Sequence, residues 1–165
     1  MAASSFAALC FLPFVLPICF YVAFTDLAFM KITNKAVVVL VAVFVVVGPF
    51  VMPTLEDYLW GYAHIGIVLI AGMILNAIGV MGAGDAKFMA AAAPFIAVGD
   101  WQILMMLFVV VVIAAYVAHR IARVSPLRKL APDWVSWSSG KRFPMGLALG
   151  PTLALYLCLA ALNGA

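Results

Sequence analysis

Residues 36–55 read AVVVLVAVFVVVGPFVMPTL, a run of 20 positions without a charged side chain between Lys35 and Glu56. A helix needs roughly 20 apolar residues to cross a hydrocarbon core about 30 Å thick. Similar charge-free runs cover residues 1–25, 58–84, 101–118 and 143–165, and a shorter run covers residues 88–99. The pattern predicts an all-α, polytopic integral membrane bundle of six transmembrane helices.

The composition excludes an ordinary soluble domain. Of the 165 residues, 68% are hydrophobic and 9% are charged, whereas soluble domains are about half apolar and about a quarter charged. The three cysteines, Cys10, Cys19 and Cys158, lie in apolar runs and form no CxxC pair, so neither zinc nor redox chemistry is indicated. We therefore expect one membrane-embedded domain over residues 1–165, without a metal ion or a cofactor.

The charged residues predict the orientation. With the N-terminus outside, helix one ends near residues 26–30, and the others lie near residues 36–52, 58–78, 85–98, 101–118 and 143–162. Every basic residue then falls on the inner side, as the positive-inside rule requires: Lys31, Lys35, Lys87, Arg120, Arg123, Arg128, Lys129, Lys141 and Arg142. We expect a multi-pass inner-membrane protein with a cytoplasmic loop at about 119–142. Its net charge of +3 reflects contact with the lipid bilayer and gives no reason to propose nucleic acid as a partner.

Two of the three acidic residues on the inner side are embedded in apolar sequence. Asp133 lies in the polar loop and is interpreted as a solvated charge. Asp26 and Asp85 would cost several kcal/mol in hydrocarbon, which proteins tolerate mainly at functional positions. A helix over residues 85–99 would be roughly 22 Å long, shorter than the membrane core, so Asp85 is predicted inside the membrane near its cytoplasmic side. Asp26 is predicted at a similar depth.

Each aspartate also has a plainer interpretation. Asp26 could be an interfacial charge paired with Lys31 or Lys35, and Asp85 could cap helix four. If the two carboxyl groups meet, they can share one proton, so that one activates water while the other polarises a peptide carbonyl. The sequence therefore suggests an aspartyl peptidase that needs no cofactor.

The residues before Asp85 are small and leave space for another chain segment to approach its side chain. Gly82 and Gly84 precede it and would allow a positive φ or a neighbouring chain, although a flexible turn between helices three and four is the plainer alternative. Lys87 could orient the substrate, reduce the charge of Asp85 or anchor the inner face. Asn34 could cap a helix or bond near the aspartates. His64 and His119 are interpreted as interfacial or packed side chains.

Three motifs together resemble the type IV prepilin peptidase family. Gly82–Ala83–Gly84–Asp85, followed by Lys87 and Ala90, resembles its GxGD motif. Asp26 with Ile32–Thr33–Asn34 resembles its first catalytic aspartate and the segment behind it, and Pro144–Met145–Gly146 resembles its Pro-x-Gly motif. The chain lacks the Cys-containing cytoplasmic region of bifunctional members. It is most similar to the small, single-function form associated with Flp/Tad pili.

This resemblance implies an aspartic endopeptidase of the bacterial inner membrane. Such enzymes cleave the N-terminal leader from prepilin-like proteins, after a glycine, at the cytoplasmic membrane face. An Flp-type pilin is the implied substrate, pilus-assembly components are candidate partners, and methylation of the product is not implied. The implied catalytic pair is Asp26 and Asp85, and the residues implied to bind substrate or shape the site are Gly82, Gly84, Lys87, Asn34, Pro144 and Gly146. The alternatives are another GxGD intramembrane protease, a small ion-coupled transporter and a structural assembly subunit.

Overall fold

A computed structural model describes residues 1–140 and 142–164, and Lys141, which belongs to the predicted inner basic set, lies outside this range. Within it, the chain forms six α-helices and no strand. They are α1 (Ser5–Phe29), α2 (Asn34–Val51), α3 (Leu55–Ala77), α4 (Ala83–Ala92), α5 (Trp101–Val124) and α6 (Gly146–Asn163). The prediction of an all-α membrane bundle is confirmed. Five of these helices, all except α4, are long and apolar enough to cross a membrane.

The centre of the bundle is the pair α1 and α6. Gly150 of α6 lies so close to α1 that an added Cβ would be 2.6 Å from the carbonyl oxygen of Cys19. Small residues permit this contact between transmembrane helices. Phe11, Val15 and Tyr156 are almost fully buried in the same core. By contrast, most side chains of α3 and α5 are exposed, which suits the two lipid-facing helices of a membrane protein.

Helix α4 is shorter than the sequence predicted. The expected helix over residues 85–98 ends at Ala92 and continues as a 3₁₀ turn over Ala93–Phe95. Proline explains the difference, because Pro94 has no N–H to donate and its ring collides with the carbonyl of the residue four positions earlier. At 1.5 Å per residue, α4 is about 15 Å long, so it reaches only part of the way across the membrane.

Helix α5 is longer than predicted, and the loop that was predicted to be cytoplasmic is correspondingly shorter. It continues past residue 118 to Val124 and therefore includes His119 and two of the arginines. It ends where Pro126 forces the preceding Ser125 into an extended conformation, with ψ of 168°. The polar segment expected from residue 119 thus begins at Ser125, and it contains 3₁₀ turns at Pro126–Leu130 and Val135–Trp137.

A buried carboxylate joins three helices at the predicted outer end. Asp100 is only 2% exposed. Its oxygens accept hydrogen bonds from the N–H groups of Ala2 and Ala3, at 2.7 and 3.0 Å, and from the hydroxyl of Tyr156 at 2.9 Å. These donors compensate for the desolvation of the carboxylate. Asp100 lies between two predicted helices, and the charge pattern did not predict its burial.

Candidate active site

Asp26 lies in the last turn of α1 and is 6% exposed. Its Oδ2 accepts a hydrogen bond of 2.6 Å from the backbone N–H of Gly146, 120 positions along the chain. Gly146 is the first residue of α6, and the unpaired N–H groups at the start of a helix attract negative charge. The contact that Asp26 makes is therefore with α6, whereas Lys31 and Lys35, its predicted partners, are exposed.

Glycine is required at position 146 by the closeness of Asp26. A Cβ on Gly146 would lie 2.8 Å from the Cβ of Asp26 and 3.0 Å from its Oδ2. The preceding Pro144 is fully buried, and its carbonyl oxygen accepts from the N–H of Leu147 at 3.2 Å. The Pro144–Met145–Gly146 segment thus directs the start of α6 at the carboxylate of Asp26.

Asp85 is the third residue of α4 and is half-buried. Its carboxylate lies beside Gly82, the N-cap residue, whose backbone N–H favours the ionised form of Asp85. The interpretation of Asp85 as the N-cap itself is wrong. Burial raises the pKa of Asp85, the Asp26 carboxylate raises it further, and together they bring it to about 6. The two acids are therefore near enough to interact.

The glycines before Asp85 matter because they have no side chain, and not because of unusual backbone angles. The expected positive φ is not found at Gly82, where φ is −70°, or at Gly84, which lies inside α4. A Cβ on Gly82 would be 2.7 Å from Oδ2 of Asp85, and a Cβ on Gly84 would be 3.3 Å from the Cβ of Ile32. Gly84 thus lets α4 pack on the turn between α1 and α2, the turn that follows Asp26.

Lys87 and Asn34 form a second link between α4 and this turn. The ammonium of Lys87 donates a hydrogen bond of 3.1 Å to Oδ1 of Asn34, and both side chains are exposed. Asn34 is not a cap, because the side chain of Thr33 accepts from the N–H of Ala36 at the start of α2. The link joins α4, which carries Asp85, to the start of α2, the helix that follows Asp26 along the chain.

The structure brings the predicted site residues to one end of the bundle, through contacts that span most of the chain. Asp26 contacts Gly146, Asp85 contacts Gly82, and Gly84 packs beside Ile32. Asp133 is exposed in the loop, as predicted. Sequence reasoning missed the N–H of Gly146 as a partner of Asp26. The signal was available, because a proline shortly before a long apolar run often marks a helix N-terminus.

Two neighbouring carboxyl groups have a defined chemical capacity. Like charges at close range cannot both ionise cheaply, so the pair holds one proton over a range of pH. An ionised carboxylate can take a proton from water, and a protonated one can donate a hydrogen bond to a carbonyl oxygen. Such a pair, at the end of the bundle where α1 ends and α4 and α6 begin, has the chemistry that a general acid and a general base require.

Comparison with known proteins identifies the family. The model of the type IV leader peptidase family matches residues 13–119. Because this is more than half of the chain, the protein belongs to the type IV leader peptidase family, and it is a multi-pass membrane peptidase. The match includes Asp26 and Asp85, whereas Pro144 and Gly146 lie beyond it. No curated protein and no solved structure matches the chain.

Proposed function

We propose that this member of the type IV leader peptidase family is an aspartic endopeptidase whose catalytic pair is Asp26 and Asp85. Its substrate is a prepilin-like protein, of the Flp type, whose charged leader is removed after a glycine at the cytoplasmic face of the bacterial inner membrane. The observation that carries the proposal is that α1 ends at Asp26 against the start of α6, while α4, which carries Asp85, packs on the turn that follows Asp26.

The proposed reaction uses one water molecule and one proton held by the pair. The ionised aspartate removes a proton from water, and the oxygen of that water attacks the carbonyl carbon of the scissile peptide. The protonated aspartate donates a hydrogen bond to the carbonyl oxygen as negative charge develops there. When the C–N bond breaks, the leaving nitrogen takes up a proton from the pair. The products are the leader with a new carboxyl group and the mature protein with a new amine.

The surroundings of Asp85 suit an extended substrate. Gly82 is exposed and has no side chain beside the carboxylate, so a peptide backbone could lie next to Asp85 without a steric collision. The neighbouring turn and the start of α2 carry the exposed lysines Lys31 and Lys35, which face the headgroup region in the predicted orientation. A substrate that is polar before the cut and hydrophobic after it would cross this boundary at the level of the two aspartates.

The test is cleavage of a prepilin that carries a charged leader, a glycine and a hydrophobic helix. Asp26→Asn and Asp85→Asn are each expected to lower the cleavage rate by at least about 100-fold, the lower range for removal of a general acid or base. Asp133→Asn is the matched control, because it removes an exposed acid from the same predicted face and should leave the rate unchanged. Mass spectrometry of the product locates the cut.

The outcomes separate the proposal from its alternatives. Cleavage after the glycine by the wild type and the Asp133→Asn variant, with none by the other two, supports it. A cut within the hydrophobic segment would indicate a different intramembrane protease. Processing that continues in a correctly inserted Asp26→Asn or Asp85→Asn protein would exclude the aspartic mechanism. Ion flux that is lost in both variants, with prepilin left uncut by the wild type, would favour a transporter.

A further inference from the structure

A continuous group of aromatic rings includes Phe143, which lies in the short segment before α6. We call it the aromatic cluster, and its members are Phe24, Tyr116, His119, Trp134, Trp137 and Phe143. They come from α1, α5, the cytoplasmic loop and the residues before α6. Phe24 is two positions before Asp26, and Phe143 is three positions before Gly146. The cluster therefore includes a residue on the last two turns of α1, the helix that carries Asp26, and a residue in the short segment that ends at Gly146.

His119 is at the centre of this cluster. Its ring stacks on Trp137, with centroids 5.2 Å apart and planes 16° from parallel. Its other contact is edge-to-face with Phe143, at 6.0 Å and 81°. Trp137 in turn stacks on Trp134, which meets Phe24 of α1 edge-to-face at 5.9 Å. The ring of His119 thus contacts the loop through Trp137 and the segment before α6 through Phe143.

We propose that His119 is a positioning residue for leader cleavage, acting through Phe143. By fixing Phe143, the His119 ring fixes the short segment that ends at Gly146, and so keeps the N–H of Gly146 on the carboxylate of Asp26. The inference rests on the proposed function. It assigns to the end of α5, which lies outside the three sequence motifs, a part in holding one catalytic aspartate in place.

The ring of His119, rather than its nitrogen, carries this role. His119 is 5% exposed, and its Nε2 has no hydrogen-bond partner among the residues that the structure describes. The contacts that it makes within the cluster are made by the ring faces and edges. Phenylalanine has a ring that can stack in the same way and carries no buried polar atom to leave unsatisfied. A phenylalanine at position 119 should therefore preserve the ring contacts with Trp137 and Phe143, whereas an alanine should lose them.

The experiment compares His119→Ala and His119→Phe with the wild type. Val117→Ala is the matched control, because Val117 is 48% exposed two positions away on the same helix. For cleavage of the prepilin, His119→Ala is expected to lower kcat about tenfold or more with KM within about twofold, the pattern of a lost interaction that acts on the transition state. His119→Phe and Val117→Ala are expected to keep kcat within about threefold of the wild type.

A second measurement does not depend on cleavage. Met145→Cys places a thiol beside Gly146 after Cys10, Cys19 and Cys158 have been changed to alanine, and its reaction with a maleimide reports how firmly the segment is held. Adding His119→Ala should increase the labelling rate several-fold, and adding His119→Phe should leave it unchanged. If the wild type cleaves no prepilin, the proposed function fails, and labelling alone then decides the positioning role.

Three results would overturn the inference. Loss of kcat in His119→Phe equal to that in His119→Ala would show that the nitrogen is needed. A raised KM with unchanged kcat in His119→Ala would indicate a substrate contact instead. Wild-type kcat or wild-type labelling in folded His119→Ala protein would show that the ring does not hold the segment. A cooperative thermal unfolding transition, measured for each purified variant, shows whether that variant is folded.

Discussion

Replacing Gly146 with alanine puts a methyl group where Asp26 already lies. The added Cβ would be 2.8 Å from the Cβ of Asp26, 3.0 Å from its Oδ2 and 3.2 Å from its Cγ. All three distances are shorter than ordinary contact, so either the side chain of Asp26 or the start of α6 must move. Either movement lengthens the hydrogen bond that now measures 2.6 Å. The substitution therefore displaces one proposed catalytic group without changing its chemistry.

The size of the effect follows from what is lost. A hydrogen bond to a charged group contributes about 1.5–3 kcal/mol, and overpacking of a tight site adds about 1–3 kcal/mol. If only about 2 kcal/mol of this appears in the activation free energy, the rate falls roughly 30-fold. We therefore expect Gly146→Ala to lower kcat for prepilin cleavage by about 30-fold or more, measured as the initial rate of leader release in reconstituted membranes.

Two other glycines provide matched controls. A Cβ on Gly66 would meet nothing within 4 Å, so Gly66→Ala should leave both folding and cleavage unchanged. A Cβ on Gly150 would be 2.6 Å from the carbonyl oxygen of Cys19, on the same helix pair but one turn further from Asp26. Gly150→Ala should therefore lower the folded fraction instead. Wild-type kcat in folded Gly146→Ala protein would refute the argument that this glycine holds Asp26 in place.

Three further predictions test other parts of the structure. Because Asp26 contributes to the raised pKa of Asp85, Asp26→Asn should lower that pKa. The midpoint for labelling of protonated Asp85 by a carbodiimide should then lie at a lower pH than in the wild type, and an unchanged midpoint would show that the two groups do not interact. Tyr156→Phe removes a buried donor to Asp100 and should cost about 1–3 kcal/mol of stability, seen as a lower unfolding temperature in detergent with leader cleavage retained. Lys87→Met removes an exposed hydrogen bond worth at most about 1 kcal/mol, so cleavage should slow by less than about fivefold, and a larger loss would assign this lysine to the substrate.

The helices were predictable from sequence because the membrane imposes a simple local rule. An uncharged run of sufficient length is enough to predict a spanning helix, and it predicted five of the spans to within a few residues at most ends. The rule fails at helix ends that are set by a single residue, such as a proline. Pro94 ends α4 early, and α5 continues to Val124 because its next break is at Pro126. A charge-free run shows where a helix can lie in the membrane, but it does not show where a proline ends that helix.

The candidate site was predictable only in part, for a different physical reason. Two acids in apolar sequence are costly enough to stand out, so Asp26 and Asp85 could be identified without coordinates. Their neighbours could not be identified in the same way. The partner of Asp26 is a backbone N–H 120 positions away, and a backbone group leaves no mark in composition or periodicity. The ring of His119 is similarly defined by contacts between distant segments, and the sequence alone suggested only a packed or interfacial histidine.

The two aspartates are held in unequal ways, and the inequality has a structural origin. Asp26 is buried at 6% exposure on α1, in the most tightly packed helix pair, and α6 begins directly against it. Asp85 is half-buried on a helix of only 10 residues that is fixed by Gly84 against Ile32 and by Lys87 on Asn34. A short helix that starts at the end of the bundle places the carboxylate of Asp85 at the bundle's edge, where it is more exposed than Asp26. If the two acids act as proposed, one is fixed in the core and the other faces the substrate.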